Sequence, residues 1–330
     1  MPTTVEIAFN LALAGQGNFF TLDDSAKGVL GGTVYKLAGD VLVDVTSTVR
    51  EVSVRRGRSR TLERFTAGVA QMTLDNRSRR YDPTYTSGPY YGSITPRKQV
   101  RITRDGYSIF RGNVESWSWN YDLAGDATAE VRCVDGFAAI SQAAMTAGTA
   151  AGTTPGARIG SALDNAGWPT TQRALATGNA TLDQDIIGDD VNVLQYVQKV
   201  EKSEPGAFFM SKEGYATFLS RGDLQNPASG NVTFGTAGVP FIDYKAASLT
   251  DEMTNTVAVT YTAGSVIAGT ATATDATSVQ SYGQFDSTID TLLSGNLQAQ
   301  RLADWRVANY KDPKYRVDSV TVVMEGLTSA

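Results

Sequence analysis

Residues 50–75 read REVSVRRGRSRTLERFTAGVAQMTLD, and their spacing decides the fold class. Val52 and Val54 alternate with polar neighbours, and Ala70, Met72 and Leu74 do the same after a turn-like RGRS. A period of two is the mark of a strand with one face on a core and one in water. In this register Arg55 points away from the core. The same alternation recurs on both sides. Upstream, Val5, Ile7 and Phe9 share a face, and Gly31-Gly32 suits a tight hairpin turn because glycine accepts positive φ. Downstream come QVRIT with Val100 and Ile102 inward, a turn at Arg104-Asp105-Gly106, the strand YSIFRG, then VESWSWNYD and TAEVRCVD. Residues 1–136 are therefore expected to form a β domain of about seven strands.

The charge of this region is out of step with the chain. Residues 50–112 hold fourteen Lys and Arg against five acids, 14 − 5 = +9, whereas all 330 residues sum to −5. Within it, residues 77–96 form a long irregular segment with three prolines, two glycines and four tyrosines. Loops of that length in compact domains serve a function or are pinned by a partner. Arginine forks and tyrosine faces anchor protein interfaces, so Arg55, Arg56, Arg58, Arg60, Arg79, Arg80, Tyr81, Tyr85, Tyr90 and Tyr91 are the candidate interface residues. Solvated strand faces and nucleic-acid contact are the other readings of the same charge. Direct nucleic-acid binding is not expected, because the sequence pI is about 5.0 and no recognition helix is present. Trp117, Trp119 and Tyr121 share one face, which suits a core or domain contact better than a sugar platform.

Past residue 136 the character changes. Residues 137–228 read as a small α/β module. Thr154-Pro155 starts a helix with Ile159, Leu163 and Ala166 on one stripe, and Gly167 ends it. Asp189-Asp190 is expected to cap a second helix carrying Val193, Leu194, Val197 and Val200 up to Pro205. A hairpin AFFM-SKEG-YATFLSR follows. Residues 229–330 return to strands (NVTFG, VPFIDY, TVAVTYT and a closing YRVDSVTVVME) with one helix over Asn296–Asn309 carrying Leu302 and Trp305. The Thr/Ala alternation in SVIAGTATATD predicts a weak, exposed strand with poorly fixed register.

Several chemistries find no support in the sequence. The chain has no histidine, hence no imidazole base, ligand or triad. Its one cysteine, Cys133, sits in an alternating strand and reads as a buried small hydrophobe. Asp183, Asp185, Asp189 and Asp190 miss the calcium-loop spacing, and no phosphate-cradling, dinucleotide or nucleophile-elbow motif occurs. No enzymatic role, no cofactor, no bound metal and no membrane insertion are expected. No signal-peptide layout opens the chain, which predicts synthesis in a cytoplasm.

The order VRRGRSRTLERFTAGVAQMTLDN, RRYDPTYTSGPYYGSITPRKQVRI, SIFRGNVESWSWNYD and AEVRCVDGFAAIS resembles tail-tip proteins of siphoviruses that infect actinobacteria, minor tail proteins of the tail hub or baseplate hub family. The motifs are the RGRS-like turn (Arg56–Arg60), L-x-N (Leu74–Asn76), YDP (Tyr81–Pro83), YYG-x-I-x-P (Tyr90–Pro96) and F-x-G-x-V (Phe110–Val114). EPGAFFMSKEGYATFLSR is similar to that family's F-x-x-x-x-x-G hairpin, and the resemblance covers about residues 20–325. It implies a mainly β, α+β chain of the phage tail-hub type: two β-barrel-like tube domains, 1–136 and 229–330, flanking the helix-helix-hairpin module. It also implies a homotrimer ring at the distal tail tip of the virion, adapting a six-fold tube to a three-fold tip. The partners implied are sister subunits, the distal tail protein above, the tape measure C-terminus, and other tail-tip or receptor-binding proteins. Because the chain ends at Ala330, a receptor-binding or cell-wall-cleaving extension is not expected. The rival readings are a hexameric distal tail protein and a host-glycan-binding tail-tip module.

Overall fold

Alternating valines, isoleucines and aromatics dictate the first part of the chain, and the computed structural model shows how they are arranged. It describes residues 2–10, 25, 40–58, 63–225, 233–235 and 238–322. Gly31-Gly32, Arg60 and the start of NVTFG lie outside the described residues. The described residues divide into two compact units. The first comprises residues 1–58, 65–139 and 209–216, and the second residues 59–64, 140–208 and 217–330.

Seven strands make the first unit: β1 (Thr3–Phe9), β2 (Val41–Asp44), β3 (Val49–Arg55), β4 (Val69–Asp75), β5 (Gln99–Arg104), β6 (Tyr107–Tyr121) and β7 (Ala127–Val134). They form one sheet in the order β2-β1-β5-β6-β7-β4-β3, antiparallel throughout. The edge strands β2 and β3 are at opposite ends of this sheet yet follow one another in sequence through a single 3-10 turn, Thr46–Thr48. Five residue steps reach at most about 18 Å, whereas six strand spacings laid flat cover about 29 Å. The sheet must therefore curl round on itself into a barrel-like wall. The link is fastened to β1, where the Val45 N–H donates to the Val5 carbonyl and the Val5 N–H donates to Thr46 Oγ1, both at 2.9 Å.

The inward set follows the period of two. Val5, Ile7, Phe9, Ala70, Met72, Leu74, Val100, Ile102, Phe110, Val114, Ala129, Val131 and Cys133 are all buried in one core, with Val52 and Val54 packed against it. Burial pushes the Cys133 thiol up to about 12, which leaves it an inert core side chain. Gly112 also faces inward, between Phe110 and Val114. A Cβ there would collide with the Val134 carbonyl oxygen and sit 2.7 Å from the Phe110 ring, so the glycine of F-x-G-x-V makes room for the phenylalanine. A register shift between Val114 and Ser116 bends the fifteen-residue β6, which pairs with β5 through its first half and with β7 through its second.

After β7 come α1 (Phe137–Ile140), β8 (Gly148–Ala150), α2 (Pro155–Asn165), β9 (Arg173–Leu175), β10 (Asp185–Ile187), α3 (Val193–Ser203), β11 (Ala207–Met210), β12 (Ala216–Leu219) and α4 (Arg221–Gln225). Thr154 and Pro155 open α2, and Gly167 closes it at φ 64°, as the sequence predicts. The cap of α3 differs from the expectation: Asn192, not Asp189-Asp190, accepts from the Gln195 N–H at 3.1 Å. The buried stripe of α3 then starts one residue later, at Val193, and the two aspartates stay outside the first turn. Arg158 of α2 is buried and donates to Tyr196 Oη (2.8 Å) and to the carbonyls of Ala151 (2.5 Å) and Asp183 (2.9 Å). It is a tie between segments, not a surface charge.

The rest of the second unit holds β13 (Phe241–Leu249), β14 (Thr256–Ala263), β15 (Val266–Thr274), α5 (Ala276–Tyr282), β16 (Asp286–Ile289), α6 (Asn296–Tyr310) and β17 (Lys314–Val322). β15-β14-β16 form a sheet on which α6 lies, burying Ala299, Leu302, Ala303 and Val307. The Thr/Ala strand is mostly exposed, as expected, and it holds one register apart from a shift between Tyr261 and Thr262. β15 pairs with β14 from Thr274 to Val266, because Gly264 and Ser265, both at positive φ, close a two-residue hairpin. β13 and β17 form a two-stranded ribbon to which no other described strand pairs.

Candidate assembly surface

The tyrosine-rich segment is more regular than its composition suggests. Successive i to i+3 backbone hydrogen bonds run from Asn76 to Arg79, Asp82, Tyr85, Gly88 and Tyr91, a string of turns joined end to end. The Asn76 side chain accepts from the Tyr81 N–H at 2.9 Å. Asp82 accepts from the Thr84 N–H (2.8 Å), the Thr84 hydroxyl (2.7 Å) and Arg79 (2.8 Å). Burial alone would raise the Asp82 carboxyl, but these donors outweigh it and hold it down to about 2. This is the physical content of L-x-N and YDP: two acceptor side chains that fix consecutive turns.

Two strand residues pin the string from below. Trp119 Nε1 donates to the Tyr81 carbonyl at 2.5 Å, and Trp117 Nε1 donates to the Thr95 carbonyl at 3.1 Å. Tyr90 stacks on Phe9 at 4.1 Å between ring centroids, and Tyr81 lies against Tyr90 (5.6 Å) and Trp117 (6.3 Å). Tyr81 is fully buried, shares a 2.7 Å hydrogen bond with the Thr48 hydroxyl, and is pushed up to about 12 by burial. Tyr81 and Tyr90 are thus core residues of the first unit and present no face to a partner, a correction to the sequence-based set. Tyr85 and Tyr91 are partly buried.

Part of the basic stretch is neutralised within the unit, where three acids from outside it lower its charge from +9 to 9 − 3 = +6. Arg50 is paired with Asp126 (2.5 Å) and reaches Asp75 at 3.5 Å, and Asp75 is also bound by Arg77. The hydrogen bond to Asp126 holds the Arg50 guanidinium above its ordinary range, and that to Arg77 holds Asp75 well below the usual carboxylate range. Arg101 pairs with Glu6 (2.5 Å) and Lys98 with Asp40 (2.8 Å). Glu6, Asp40 and Asp126 lie outside residues 50–112, so the sequence count of +9 misses them. Arg55, at the end of β3, is exposed and has no ion pair among the described residues. Arg58 lies 4.8 Å over the Phe65 ring, and Arg79 is exposed, bound to Asp82 and 5.0 Å over the Tyr85 ring. Arg80 is partly buried.

Arg56 is turned inward. It donates to the Met210 carbonyl (2.6 Å) and the Ile109 carbonyl (3.3 Å), and its half-burial lowers its pKa. Met210 belongs to the hairpin tip 209–216, held also by Ser108 on the Lys212 carbonyl (2.7 Å) and Phe65 on Phe209 (4.9 Å). Beside Arg56 is Asp135, buried, whose two oxygens accept from the Gly68 N–H (2.7 Å) and Phe137 N–H (3.0 Å). Burial pushes its carboxyl up to about 6 against the pull of those donors and of Arg56. Sequence reasoning did not single out Asp135. Its only signal is its position, two residues after Cys133, the last inward residue of β7.

In the second unit the β13–β17 ribbon exposes Phe241, Ile242, Tyr244, Tyr315 and Val317, with Tyr315 89% accessible. Among the described residues no three His, Cys, Asp or Glu side chains converge as metal ligands, and no helix is long and apolar enough to cross a membrane.

No family model matches the sequence, and no curated protein matches it either. Solved structures do match in fold. The prophage MuSo2 43 kDa tail protein from Shewanella oneidensis superposes with a TM-score of 0.50 at 12% identity, over 82% of this chain and 75% of that one. The tail protein from Neisseria meningitidis MC58 gives 0.53 at 13% identity, over 79% of this chain and 76% of that one. The chain is mainly β and has the fold of these phage tail proteins.

Proposed function

We propose that this chain is a structural virion protein, a tail hub that forms a homotrimeric ring at the distal end of a siphophage tail and adapts the six-fold tube to a three-fold tip. The observation that carries this reading is the likeness in fold to two tail proteins, one of them from a prophage, over about four-fifths of the chain. The barrel supports it: a wall curled round by the Thr46–Thr48 turn and roofed by a pinned turn string is a rigid building block. The role is non-enzymatic, and the partners are sister subunits, the distal tail protein, the tape measure C-terminus and further tip proteins. The surface for one of them is what burial leaves of the candidate set: Arg55, Arg58, Arg79 with Tyr85, and Tyr91.

Light scattering on the purified chain, with copy number per tip from images of virions, tests this reading. Three copies are expected. Six copies would make it a distal tail protein, and a monomer that never enters virions would overturn the assignment. Arg55→Glu with Arg58→Glu is expected to block assembly while leaving the monomer folded.

A further inference from the structure

Trp117, Trp119 and Tyr121 alternate along β6, but they end in different settings. The two tryptophans pack against the core and spend their N–H groups on backbone carbonyls, whereas Tyr121 is 52% accessible. It borders a pocket of about 430 Å³ between the turn string and the tip of the β6–β7 hairpin. That volume is within the roughly 300–1,000 Å³ of small-molecule sites, which combine apolar faces with a few fixed polar groups. We propose that this pocket binds a neutral saccharide, one or two sugar rings seated against Tyr121. The site is complete in one chain and does not depend on the copy number of an assembly.

Three features of the pocket select that ligand. The first is the aromatic face. The Tyr121 hydroxyl is held by Asn76 Nδ2 (3.4 Å) and by Asp82, so the ring is anchored at its polar end. A tyrosine ring is a large, stiff apolar face with a polar tip, and the carbon-bound hydrogens of a sugar ring are the matching surface. The second is charge. Arg77 and Arg79 line the pocket with Asp82, Asp122 and Asp126. Four of these five are already in ion pairs: Arg77 with Asp75, Arg79 with Asp82 and Asp126 with Arg50. A carboxylate or phosphate would meet three aspartates, and an ammonium group two arginines. The pairing fixes these groups without exhausting them. Nη1 of Arg77 and of Arg79 has no partner among the described residues, and Asp122 accepts only from the Ala124 N–H (3.2 Å). Fixed donors beside fixed acceptors suit hydroxyl groups, each of which both donates and accepts. The third is shape. The Asp122 N–H donates to the Asp126 carbonyl (2.8 Å) and the Gly125 N–H to the Asp122 carbonyl (3.0 Å), with Gly125 at φ 90°. The tip is thus a fixed turn whose wall at Gly125 is bare backbone.

The test is a saturation-transfer NMR titration of the full chain with methyl glucoside, methyl galactoside, methyl mannoside and lactose, and with glucuronate and glucosamine as charged counterparts. At least one neutral sugar is expected to bind, and its Kd is expected to weaken by about fivefold or more, the scale of one lost contact, in Tyr121→Ala and in Asp122→Asn. Tyr282→Ala, which removes a tyrosine 49% accessible in the second unit, is expected to leave the Kd unchanged. Binding of none of the neutral sugars overturns the proposal. Binding that survives both pocket variants comes from elsewhere on the chain and overturns it too. Glucuronate or glucosamine binding more tightly than every neutral sugar would make the pocket an ion site, against the proposal. Circular dichroism matching the parent checks that each variant is folded, and Asp122→Asn, at an exposed turn position with its shape kept, carries the test if Tyr121→Ala does not fold.

Discussion

Asp135 makes the barrel's stability depend on pH in the direction opposite to most carboxylates. Its carboxyl has an ordinary value of 3.8 and is pushed up to about 6 in the fold by burial. The native state then holds the proton more tightly than the unfolded chain. The corresponding stability is fully present below about pH 4 and is lost as pH rises through about 6. The gap is worth about 3 kcal/mol, at about 1.4 kcal/mol per pH unit. The charged group facing Asp135 is Arg56, with Glu213 beyond it, and Arg56 only partly offsets the burial. Asp135→Asn keeps one acceptor and the shape but never charges. It turns an amide N–H toward a backbone N–H, as the protonated carboxyl turns its hydroxyl, at a cost of about 1 kcal/mol. Parent and variant are therefore expected to agree within about 1 kcal/mol at pH 4, with the variant more stable by about 2 kcal/mol at pH 7. Amide exchange of peptides covering β4 and β7, measured by mass spectrometry in the full chain from pH 4 to pH 7 and corrected for intrinsic rates, reads this unit directly. An asparagine variant less stable than the parent at pH 7 would show that Arg56 and the two N–H donors fully compensate the charge, against the raised carboxyl.

Other outcomes follow from the packing. Gly112→Ala forces a methyl into the Phe110 ring and the Val134 carbonyl and is expected to cost about 1–3 kcal/mol; an unchanged melting temperature would refute the tight approach. Tyr81→Phe removes the Thr48 hydrogen bond and should cost about 1 kcal/mol, with a further loss of about 1 kcal/mol in the Tyr81→Phe, Thr48→Val double variant, because Thr48 Oγ1 also donates to the Val45 carbonyl at 2.7 Å. Arg158→Met leaves the buried Tyr196 hydroxyl and the Ala151 and Asp183 carbonyls without their donor, a loss of about 1–3 kcal/mol, read as a lower melting temperature of the second unit.

Where burial alone decides, the strands can be read from the letters. Val5, Ile7 and Phe9, then Ala70, Met72 and Leu74, then Val100 and Ile102 occupy the core as their alternation requires. Helix ends were legible where a Pro or a Gly forces the backbone, at Pro155 and Gly167. The α3 cap was not, since Asn192 and Asp190 are equally good acceptors and only the backbone path chooses between them. α5 and β16 escaped because seven and four residues carry too little periodicity. The tyrosines misled because a loop rich in Pro and Gly reads as exposed, whereas this one folds over an open barrel and supplies its last core layer. The basic stretch misled for a different reason. Charge is counted along the chain but partly neutralised across strands, and Glu6 meets Arg101 only because β1 lies beside β5.

The turn at Thr46–Thr48 also bears on solubility. A seven-stranded sheet has two open borders, each able to recruit a foreign strand. Here a linker of four residues, Val45 to Thr48, ties those borders together and limits how far they can spread. A proteolytic nick in that linker would break no ladder hydrogen bond, so the wall would keep its secondary structure. It would nonetheless free β2 and β3 to swing apart and seek other chains. Such a clipped molecule is expected to look native by circular dichroism and to aggregate, with the tether acting as the safeguard that composition alone does not provide.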